Sequence, residues 1–155
     1  MDLFRRLRAR GQARGAEGMS DLIAALRLVA GQPFSNLRTP GWTWLLEGDR
    51  LDEVMTCAVA DVAHLVTTHA LGIGAGELAR FAAAKGYEAN PDGEIAQLDL
   101  VAVLHAYGRH DEAEERLMQE LNRRDDELGP LDPPPRTEAI IEQRGWDPSK
   151  RRSAG

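Results

Sequence analysis

The chain has 155 residues, a formal net charge of −6, 43% hydrophobic residues and only 5% aromatic ones, which suits one domain whose core is packed mainly by alanine and leucine and favours helix over sheet. The acidic balance argues against nucleic-acid binding by the molecule as a whole, because that requires a broad basic footprint. Cys57 is the only cysteine, which excludes an internal disulfide and a cysteine-based zinc site and makes a reducing, cytoplasmic compartment the expectation.

Residues 1–19 form a basic arm in which Arg5, Arg6, Arg8, Arg10 and Arg14 stand against Asp2 and Glu17, with Leu3, Phe4 and Leu7 at helical spacing. Such an arm docks on an acidic protein, a nucleic acid or an anionic surface, unless it is a solvated, frayed terminus. It shows no export-signal core, and no apolar run in the chain approaches the roughly 18 residues that span a bilayer. A helical domain is expected over residues 20–129. Ser20 is placed to cap a helix with Leu22, Ile23, Leu26 and Val29 on one face, closed by Gly31 and Pro33. Thr39 and Pro40 suit the cap and first residue of a short helix carrying Trp42, Trp44, Leu45 and Leu46; alternation of the tryptophans on a strand is the competing reading.

From Leu51 to His69, apolar residues including Val54, Met55, Ala58, Val62, Leu65 and Val66 recur at helical spacing over about five turns. Gly72, Gly74 and Gly76 break this helix, and Leu78, Phe81 and Ala82 begin a shorter one expected to end at Gly86. Asn90-Pro91-Asp92-Gly93 marks a turn. Leu98 to Tyr107 is apolar on nearly every side, as an enclosed helix is, and stops at Gly108. Asp111, three residues before Glu114, is spaced to cap the next helix, with Ala113, Leu117 and Leu121 as its apolar stripe.

This order of parts over about residues 98–130 resembles one tetratricopeptide unit. Leu100, Gly108, Ala113 and Leu117 match the usual pattern, whereas Gln97 and Glu120 depart from it. His69-Ala70-Leu71-Gly72 and His105-Ala106-Tyr107-Gly108 lie about 36 residues apart, a spacing of the kind solenoid repeats show. The resemblance implies an all-α fold of antiparallel helical hairpins, packed as a short tetratricopeptide-like or orthogonal bundle. It also implies a groove that exposes Leu98, Ala102 and His105 to a partner peptide or helix. Residues 130–155 read as a proline-rich linker, a last short helix from Thr137 to Gly145 that docks with Trp146, and a basic tail.

Two chemistries compete with that reading. Thr67, Gly72 and Gly74 resemble the nucleotide-binding loop of short-chain dehydrogenases, which needs a parallel strand over Val62 to Leu71; Thr68 stands in place of that loop's first glycine, and neither Tyr87 nor Tyr107 has a lysine four residues on. His64 and His69 are five apart and diverge around a helix, so they do not chelate one metal together. Asp61, His64 and Thr68 share a helical face and mimic a proton relay, though a surface ion pair explains Asp61 with His64 equally well. The carboxylates of Asp111 to Glu127 read as a solvated helix face. The expectation is therefore a non-enzymatic interaction or assembly module without cofactor or metal. Its partner contacts are assigned to Arg5, Arg6, Arg8, Arg10, Leu98, Ala102 and His105. The partner is a protein, a second copy of the chain, or a larger cytoplasmic or phage-like assembly, with nucleic acid on the basic arm as the alternative.

Overall fold

The computed structural model describes residues 2–35, 50–122 and 135–146, and in these residues the fold is all-α. The elements are α1 (Asp2–Ala13), a 3-10 turn (Gly15–Gly18), α2 (Met19–Leu26), α3 (Leu51–Gly72), α4 (Gly76–Ala89), α5 (Glu94–Ala106), α6 (His110–Asn122) and α7 (Pro135–Gln143). Consecutive helices pack as pairs, α1 on α2, α3 on α4 and α5 on α6; α4 and α5 join the second pair to the third. The helix expected around Trp42 and Trp44, the end of the acidic band beyond residue 122, the proline run and the basic tail lie outside the described residues.

α3 is the spine of the bundle. It buries Met55, Ala58, Val59, Val62, Ala63, Val66 and Ala70 on one side, and the first core joins several of them to Phe4 of α1, Leu22 and Leu26 of α2 and Ala82 of α4. Contrary to the expectation that no run is long and apolar enough, Leu51–Gly72 is by composition able to cross a bilayer. Its apolar face is instead the bundle's own core, as in a central helix enclosed by neighbours. A second core joins Leu98 and Val101 of α5, Ala113 and Leu117 of α6 and Ile140 of α7. Asn90 accepts the turn hydrogen bond from Gly93 at 3.0 Å, as the turn sequence requires.

Several boundaries differ from the sequence reading, α5 among them, which begins at Glu94 and not at Leu98. α2 begins at Met19, so Ser20 lies inside it; the preceding 3-10 turn has already coiled the chain and Gly18 takes the cap position without a side-chain bond. α4 runs through Gly86 to Ala89, because Gly86 is a contact point and not a terminator. It is buried, and a Cβ built there would stand 2.9 Å from the Cβ of Ala63 on α3. α6 begins at His110, so Asp111 is in its first turn, where a carboxylate favours the helix dipole. The strand that a dehydrogenase-like loop needs at Val62 to Leu71 is instead the C-terminal half of α3.

Candidate functional site

The basic arm is a folded helix. Phe4 of α1 is buried in the first core, and α1 meets α2 where Leu22 lies against Gly11. Arg5 and Arg6 point outward, with Arg6 3.2 Å from Asp2. The other arginines engage the chain's own carboxylates. Arg8 lies 3.8 Å from Asp61, Arg14 3.7 Å from Asp21, and Arg10 donates two hydrogen bonds to Asp21 at 2.8 and 2.5 Å. The Arg10 hydrogen bonds hold the Asp21 carboxyl below the usual carboxylate range, and Asp21 raises Arg10 in return.

Leu98 and Ala102 are not on an open groove: they are 1% and 3% exposed. Leu98 packs with Ala113 and Leu117 of α6 and with Ile140 of α7, so that the face expected to receive a partner at Leu98 already carries helices of this chain. His105, at the C-terminal turn of α5, stacks on Trp146 with ring centroids 5.4 Å apart and planes 19° from parallel. Its Nδ1 is 3.0 Å from Nδ1 of His110, and one of the two nitrogens must carry the hydrogen while the other accepts it. Burial, and then the neighbouring His110, lower the His105 pKa, with Glu114 opposing. A histidine whose folded pKa is depressed contributes stability that is present above its unfolded value, about 6.5, and lost as pH falls through the folded value. Cooling of the thermal midpoint between pH 7.5 and 5.5 should therefore be smaller in His105→Gln than in the parent, by on the order of 2 °C.

The sequence reading paired His64 with Asp61, but His64 reaches across to α5. Its Nδ1 lies 2.8 Å from Oδ1 of Asp99, a carboxylate only 2% exposed. Asp61 faces Arg8 and Thr68 faces solvent, so the three do not form a relay. Arg144, just beyond α7, feels the same carboxylate: burial lowers its pKa and the charge of Asp99 raises it. Asp99 was legible only as one carboxylate in the otherwise apolar stretch Leu98 to Val103. Among the described residues no group of three or more His, Cys, Asp or Glu is arranged to hold a metal.

The open surface lies between α4, α5 and α6, where a groove of about 420 Å3 has Leu100, Val103 and Leu104 as its floor. Tyr107 closes one end; its hydroxyl donates to Oε1 of Glu77 at 2.7 Å while Arg80 donates to Oε2 at 2.8 Å. Those two donors, Arg80 first, hold Glu77 below the usual carboxylate range, and the bond to Glu77 raises the Tyr107 phenol. Arg109 donates to Glu112, and Arg116 donates from Nε to Oε1 of Gln97 at 2.9 Å. The guanidinium of Arg116 also lies 5.3 Å over the ring of Tyr87. Sequence reasoning missed this groove because its floor, Leu100, Val103 and Leu104, reads as part of an enclosed helix, while its charged rim, brought together from α4, α6 and the α5–α6 turn, singly resembles a solvated face. A larger cleft of about 620 Å3, between α1, residues 28–35 and α3, has no charged side chain among its described lining to orient a ligand. No protein-family model, no curated protein and no solved structure matches the chain.

Proposed function

We propose that the chain is a non-enzymatic interaction module of the cytoplasm, a short tetratricopeptide-like stack of hairpins that binds a partner polypeptide or a second copy of itself. The observation that carries this reading is the groove between α4, α5 and α6. It combines an apolar floor of Leu100, Val103 and Leu104 with exposed tyrosine and arginine at the rim, the residue types enriched where proteins bind one another. The neighbouring face of the α5–α6 hairpin supports it, since that face holds the amphipathic helix α7 through Ile140 and Trp146.

The test is a photo-crosslinking phenylalanine analogue introduced in cells at Tyr107, which is 46% exposed, and separately at Val54 on α3, which is 53% exposed. Capture of one defined polypeptide from Tyr107 and not from Val54 is expected, and capture of the chain itself identifies self-assembly. Equal capture from both positions, or none from Tyr107, rejects the groove as the binding surface.

A further inference from the structure

We infer that the groove takes a polypeptide segment that carries both carboxylates and large apolar side chains, a conclusion that rests on the groove being the partner-binding surface. Its volume of about 420 Å3 falls within the ordinary range for pockets, roughly 300–1,000 Å3, so it receives the side chains of such a segment. Leu100, Val103 and Leu104 supply the apolar contact, and three guanidinium groups, those of Arg80, Arg109 and Arg116, line it against one carboxylate, that of Glu77, in a chain whose net charge is −6.

Charge decides among the occupants. Arg80 and Arg109 are tied to Glu77 and Glu112 by exposed pairs three residues apart, which are weak and leave further N–H groups of each fork free to donate. Arg116 is held by neutral groups, the Gln97 amide oxygen and the Tyr87 ring, which fix its plane without neutralising it. A purely apolar occupant covering Arg116 would strip water from a cation and return nothing, and a basic occupant would add repulsion. A carboxylate replaces the lost water with charge-assisted hydrogen bonds, bidentate where the fork allows.

The full chain is titrated, by fluorescence anisotropy, into three fluorescein-labelled nonapeptides: alternating Leu and Asp, alternating Leu and Lys, and alternating Ser and Asp. The Leu/Asp peptide should bind tightest and weaken with added salt. Arg109→Ala and Arg116→Ala should each weaken it about fivefold while the chain stays folded with a cooperative thermal transition, and Arg5→Ala should have no effect. Equal or tighter binding of the Leu/Lys peptide overturns the charge assignment and leaves the groove itself standing. Equal binding of the Ser/Asp peptide removes the apolar floor from recognition, and sensitivity to Arg5→Ala in place of Arg116→Ala moves the acidic contact to α1; either result overturns the inference. Binding of none of the three rejects the groove together with its chemistry.

Discussion

Replacing Gly86 with valine is expected to lower the folding stability by about 3 kcal/mol, read as the urea midpoint at constant slope. Gly86 is buried inside α4, and even a single Cβ there would come within 2.9 Å of the Cβ of Ala63, closer than carbon atoms pack. Ala63 is itself only 1% exposed and its methyl has no rotamer with which to give way. The strain must be relieved by moving α4 off α3, which opens a tightly packed core. Glycine inside a helix costs about 1 kcal/mol relative to alanine, so its presence here reflects the close crossing and not local preference. Gly72 is the control: a Cβ there meets nothing within 4 Å, and Gly72→Ala should be neutral or slightly stabilising. If Gly86→Val leaves the midpoint where Gly72→Ala does, the α3–α4 crossing is not as close as described.

The same glycine shows what a sequence conveys and what it withholds. The apolar repeats at Val62 and Val66, and at Ala113 and Leu117, announce α3 and α6 through their periodicity, and the nearly unbroken apolar stretch around Val101 announces α5 as an enclosed helix. The final helix was legible too, from Thr137 through Ile140 to Gly145, which turns with φ +66°. Gly86 and Ser20 carry the symbols of helix ends, yet each sits inside a helix, since a close neighbour or a preceding 3-10 turn outweighs a local signal. The pairings resist a linear reading altogether. His64 meets Asp99 and Tyr107 meets Glu77 across 35 and 30 residues, and no spacing rule within one helix can bring them together. Leu98 and Ala102 were assigned to a partner on the pattern of the resemblance, but that pattern carries no information about α7 returning to cover Leu98.

Leu98→Ala should cost about 3 kcal/mol and also loosen α7, whereas Ile140→Ala should loosen α7 alone. Leu98 is 1% exposed and stands where α5, α6 and α7 meet, against Val101, Ala113, Leu117 and Ile140. Truncating it leaves a cavity that the surrounding helices fill only by shifting α5, and α5 carries Leu100, Val103 and Leu104 into the groove. Ile140 lies at the outer edge of the same cluster on a helix of nine residues, too short to persist in water without its apolar stripe docked. Its loss should free the segment around Arg144 and Trp146 while the hairpin beneath stays folded. Limited trypsin digestion at Arg144 reads the release, and the denaturation midpoint reads the core. Faster cleavage is expected in both variants, with a lowered midpoint and weakened groove binding only in Leu98→Ala. An Ile140→Ala chain that unfolds as readily as Leu98→Ala would make α7 an integral part of the core; unchanged cleavage in both would place α7 elsewhere than on the hairpin.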